Sequence, residues 1–124
     1  MPEFSAISQS RLVQCDPRLQ AVFNEVIKTV DCAVICGYRN EADQNKAFHD
    51  GFSKLQWPDG RHNKYPSLAA DVMRYPVDWD DAERQATFAA YVKEVAASLG
   101  VDLEWGGNWT GFVDRPHFQI KDSV

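Results

Sequence analysis

Behind Asp16-Pro17, a helix N-cap with proline at the first helical position, Leu19, Val22, Phe23, Val26, Ile27 and Val30 recur at helical spacing. This predicts an amphipathic helix. The run CAVICGY at 32–38 is apolar and β-branched and predicts a strand, so Arg39 falls where the strand stops. Asn40, with acids at Glu41 and Asp43, opens a second helix that Gly51 closes. Residues 53–66 show no periodicity and contain the turn Trp57-Pro58-Asp59-Gly60, which predicts a loop of about a dozen residues. Residues 68–75 read as a strand ended by Pro76. Asp80 and Asp81 open a third helix whose face is Phe88, Tyr91, Val92, Val95 and Leu99, with Gly100 as its stop. Two short strands follow, at 102–105 and 117–121, separated by GGNWTGFVDRP.

Strands and helices alternate too closely for parallel crossovers, so the expected class is α+β: a small, mostly antiparallel sheet with helices packed on it. The 124 residues suit one domain spanning 1–124, and 44% hydrophobic content is enough for a core. A net charge of -5, with scattered Lys and Arg, argues against nucleic acid as a partner. No apolar segment approaches the ~20 residues that span a bilayer, and MPEFSAISQSR lacks the pattern of a signal peptide. The expectation is a monomer made in the cytoplasm without a signal peptide. Cys15, Cys32 and Cys36 offer neither a CxxC pair nor an even count, and read as buried thiols.

Candidate chemistry lies in the histidines. His62 leads to Asp71, and Asp114 precedes His117, all at loop-to-strand positions. Two imidazoles and one carboxylate match the three protein ligands of a hydrolytic zinc site, which keeps one position for water. Such a site needs a further acid to move protons, and Asp114, three residues before His117, supplies it. Glu104 ranks second for that role, because alternation places it on one face of a short strand. A paired-carboxylate glycosidase would leave His62, Asp71 and His117 without a function. His49, beside Asp50 on a helix, reads as a solvated histidine, and Trp105 is the aromatic expected in the cleft.

These residues carry a resemblance. His62-Asn-Lys-Tyr-Pro-Ser-Leu-Ala-Ala-Asp71 resembles the His-to-Asp zinc motif of the D-alanyl-D-alanine carboxypeptidase and L-alanyl-D-glutamate endopeptidase family. Asp114-Arg-Pro-His117-Phe is similar to its closing motif, Leu103-Glu-Trp-Gly-Gly-Asn-Trp109 to its Trp-Gly-Gly segment, and Gly37-Tyr-Arg39-Asn with Gln44 to its Gly-Tyr-Arg segment. Asn108 stands where relatives often carry an acid, and Gly60-Arg61 where a serine is common.

The resemblance implies a Zn²⁺-dependent peptidoglycan peptidase similar to small phage endolysins, acting on stem peptides of the cell wall after release. It implies His62, Asp71 and His117 as ligands, Asp114 as base, and Arg39 as a catalytic and substrate-facing group, with Gln44 and Trp105 as further substrate contacts. The L-alanyl-D-glutamate bond is the expected target. A D-alanyl-D-alanine carboxypeptidase is the alternative, and a non-catalytic zinc-containing wall-binding module the rival from another class.

Overall fold

The computed structural model describes residues 2–121. In chain order it holds α1 (Ala6–Leu12), α2 (Pro17–Val26), β1 (Cys32–Cys36), α3 (Glu41–His49), β2 (Ala69–Arg74), α4 (Ala82–Ser98), β3 (Leu103–Trp105) and β4 (His117–Ile120). Short 3₁₀ turns lie at Arg61–Asn63 and Gly106–Asn108. The strands form one antiparallel sheet in the order β1-β2-β4-β3, the α+β class expected from the sequence.

The expected helix stops are where they were read. Asp16, Asn40 and Asp81 cap α2, α3 and α4 with side-chain oxygens, and Gly51 and Gly100 take positive φ beyond α3 and α4. α2 is shorter than its apolar pattern: it ends at Val26, while Ile27 stays in the core on the following turn.

α1 was not foreseen. Its sequence lacks an apolar stripe because much of its inner face is polar: Ser8 Oγ accepts from Val34 N at 3.0 Å, and Arg11 donates to Val34 O at 3.0 Å. Both outward backbone groups of Val34, on an edge strand, are thereby satisfied, which blocks further strand pairing there.

The two sheet faces divide the labour. Ala70 and Val72 of β2, Phe118 and Ile120 of β4, and Leu103 of β3 join the core with α2 and α4. Phe118 is the centre, its ring edge-on to Phe23 of α2 at 5.5 Å and to Phe88 of α4 at 6.3 Å. With side chains alternating along a strand, Asp71, Glu104, His117 and Gln119 fall on the opposite face. A register shift between Val34 and Cys36 also skips Ile35, so that Cys36 stands opposite Asp71.

Candidate metal centre

Asp71 and His117 are register partners on the two central strands, and the turn at Arg61–Asn63 brings His62 over them. His62 Nε2 lies 3.2 Å from Asp71 Oδ1 and 3.2 Å from His117 Nδ1, and His117 Nδ1 lies 3.3 Å from Asp71 Oδ1. The three donor atoms form a nearly equilateral triangle. Tetrahedral zinc, with bonds of roughly 2.0–2.1 Å, sets its ligand atoms about 3.3 Å apart, so the donor spacing fits that ion.

The orientation of His62 fits as well. Its Nδ1 is 2.7 Å from Gly37 O, a carbonyl that can only accept, so Nδ1 carries the hydrogen and the Nε2 lone pair faces the triangle. Asp114 sits at the edge, with Oδ2 3.8 Å from His117 Nδ1. Gly106 makes this approach possible: a Cβ there would stand 2.4 Å from Asp114 O and 3.1 Å from His117 Cβ. Among the described residues, two groups of side chains, Cys36 with His62 and Asp71, and Asp71 with Asp114 and His117, are close enough to hold a metal ion. Cys36 was expected to be an inert thiol, and only the strand register reveals its place.

Electrostatics matches this geometry. Burial disfavours a charged His62, but the facing Asp71 carboxylate overrides it and pushes the imidazole up to about 10 in the metal-free protein. Burial likewise penalises the Asp71 carboxylate, and His62 and His117 overcome it, holding the group well below the ordinary range. Asp114 moves the other way: burial first, then the Asp71 charge, raises its proton affinity.

The remaining expected site residues separate into two groups. Arg39 lines the cleft beside His62 and Asp114, its guanidinium 3.6 Å from Asp71 Oδ2 and 3.0 Å from Gln44 Oε1. Gln44, only 1% exposed, borders the same cleft but has no hydrogen-bonding capacity left. Its oxygen accepts from Arg39 and Asn63, and its nitrogen donates to Ser53 Oγ and Leu55 O. Gln44 therefore holds Arg39 and the 53–63 loop in place, where a substrate contact was expected.

Trp105 differs from expectation too. Alternation along β3 turns it with Leu103 toward the core, and its Nε1 donates to Arg115 O. The tryptophan that lines the cleft is Trp109, beside Phe52 and Phe112, and its ring centroid lies 5.0 Å from that of His117. Arg39, Lys54 and Arg61 place three cations along the cleft of a protein whose net charge is -5.

Fold and donor set together define a single-domain α+β protein with a candidate hydrolytic metal centre on the open face of its sheet. The phage L-alanyl-D-glutamate peptidase family matches residues 2–121, and the chain belongs to that family. The crystal structure of the L-Ala D-Glu endopeptidase ChiX of Serratia marcescens superposes with a TM-score of 0.81 at 30% identity, over 96% of this chain and 90% of that one. The L-alanyl-D-glutamate peptidase of Listeria phage A118 is 52% identical over 29 residues, a stretch that is 23% of this chain and 10% of that protein. Among the described residues, no helix is long and apolar enough to cross a membrane.

Proposed function

We propose that residues 1–124 form a single zinc peptidase domain that hydrolyses the L-alanyl-D-glutamate bond of peptidoglycan stem peptides. His62, Asp71 and His117 hold the metal, and Asp114 is the base. The observation that carries this reading is the donor triangle, two imidazole nitrogens and a carboxylate oxygen 3.2–3.3 Å apart. Family membership and the likeness to the Serratia endopeptidase support the choice of bond.

His62, Asp71 and His117 would hold the zinc, which would supply Lewis acidity and make water a stronger acid. The protein does the rest. Asp114 Oδ2, at the rim and with raised proton affinity, takes the proton of the attacking water and hands it to the leaving amine. Arg39 is held by Asp71 and Gln44 at the cleft wall, where its guanidinium can meet a substrate carboxylate or a developing oxyanion. With Lys54 and Arg61 it gives the cleft a basic lining suited to a peptide that carries the free carboxylate of D-glutamate. The partner is thus the anionic stem peptide of the cell wall, engaged by a monomer, while the net charge of -5 disfavours nucleic acid.

Digestion of purified peptidoglycan by the zinc-loaded protein, followed by mass spectrometry of the new ends, tests the proposal. The expected products are L-alanine carboxyl ends on the glycan side and D-glutamate amino ends on the released peptides. Release of free D-alanine alone would make the protein a carboxypeptidase. Zinc binding without any cleavage would make it a wall-binding module.

A further inference from the structure

A chain of hydrogen bonds leads from the candidate ligand His117 away from the donor triangle. His117 and Gln119 are two apart on β4 and share its open face, and Gln119 is the register partner of Glu104 on β3. His117 Nε2 lies 2.8 Å from Gln119 Oε1. Gln119 Nε2 donates to Glu104 Oε2 at 3.1 Å, and Trp109 Nε1 donates to Glu104 Oε1 at 2.9 Å.

The far end fixes the polarity of this chain. An indole nitrogen only donates, so Glu104 Oε1 must accept from Trp109, and the second carboxylate oxygen is open to one more donor. Gln119 accordingly turns its NH₂ toward Glu104 and its oxygen toward His117. That oxygen can only accept, so the His117 hydrogen resides on Nε2. The Nδ1 lone pair is left facing His62 Nε2 and Asp71 Oδ1. Trp109 serves twice, since its ring also packs against the His117 imidazole.

We propose that Glu104 and Gln119 are positioning residues that fix the tautomer of His117 and so set the affinity of the centre for zinc. The proposal rests on reading the donor triangle as a zinc site. Glu104, which the sequence offers as a rival base, is occupied at both oxygens and acts through Gln119.

The test is the zinc dissociation constant, measured by competition with a chromogenic chelator, for the parent and three variants. Gln119→Met keeps the volume but removes the acceptor, and loss of such an outer partner is expected to weaken zinc binding about 10- to 100-fold. Glu104→Gln leaves one oxygen for two donors and is also expected to weaken it, because Gln119 can then turn its NH₂ on His117. The double variant Glu104→Gln/Gln119→Glu satisfies every group again: indole to amide oxygen, amide nitrogen to carboxylate, and His117 Nε2 to carboxylate. With His117 Nε2 donating to the new carboxylate, it should recover most of the lost affinity, and thermal unfolding of the metal-free variants should not follow the same order. Nitrogen-15 NMR of the zinc-loaded parent should place the His117 proton on Nε2.

Equal affinity of Gln119→Met and the parent, a double variant no tighter than Gln119→Met, or metal on His117 Nε2 would each overturn the proposal. If Gln119→Met does not fold, Glu104→Gln and the NMR assignment decide. A parent that takes up no zinc removes the centre itself, which is distinct from a parent that binds zinc and variants that bind it equally well.

Discussion

His62 Nε2 and His117 Nδ1 face each other across 3.2 Å, and each ring has its other nitrogen already engaged by an oxygen, Gly37 O for His62 and Gln119 Oε1 for His117. Two lone pairs beside a carboxylate cannot stay so close without a cation between them. A proton fills that role in the metal-free protein, and a metal ion bound here would have to displace it.

This competition sets the pH dependence. His62 is raised from 6.5 to about 10 by Asp71, so its contribution to metal-free stability is complete below 6.5 and is lost as pH rises toward 10. Asp71 is depressed, and its contribution is present above 3.8 and lost only on strong acidification. Zinc binding should release a proton between 6.5 and 10 and tighten by about tenfold per pH unit, while the metal-free protein loses stability over the same window. Calorimetry in buffers of different ionisation enthalpy counts the proton, and pH-independent affinity would contradict the scheme.

Elemental analysis should find one zinc per chain. His117→Ala should lose tight binding, because the two donors left are fewer than the three protein ligands of a catalytic zinc site. A variant that retains the ion as firmly as the parent would remove His117 from the ligand set.

Asp114→Asn should keep zinc and fold but lose about 10²- to 10⁴-fold in turnover, the usual contribution of a general acid-base group. Steady-state hydrolysis of a stem-peptide substrate measures this. Near-parental turnover would take the base role from Asp114, and Glu104, tied to Trp109 and Gln119, is poorly placed to inherit it.

The apolar face can be tested independently. Phe118 is fully buried between Phe23 and Phe88, and Phe118→Ala should cost about 3–5 kcal/mol in denaturant unfolding. A loss well under that range would mean that the sheet and the two helices close over the gap.

What could be read from the sequence was what short-range chemistry encodes. Asp16, Asn40 and Asp81 announced their helices because a capping side chain acts within three residues of itself. His62, Asp71, Asp114 and His117 stood out as a donor set in a chain with only three histidines, and the fold gathers all four. Residues whose role depends on register were missed. Cys36 reaches Asp71 through a strand irregularity, and Gln119 meets Glu104 only when β3 and β4 pair. Trp105 stands out in the sequence by its place between Glu104 and two glycines, but nothing local says whether its indole or that of Trp109 faces the core. α1 was invisible for another reason: Ser8 and Arg11, its contacts to the sheet, look like surface residues in a list of letters.

Gly37 gives α1 a reach beyond its seven residues. A Cβ at that position would stand 2.3 Å from Arg11 O, so the end of β1 is pressed directly onto the helix, while the same residue's carbonyl holds Nδ1 of His62. Helix α1 is thereby a mechanical neighbour of the candidate metal centre. A protein engineer who trims it, or fuses a partner through it, is altering the mount of His62 as well as the core that Leu12 helps to fill.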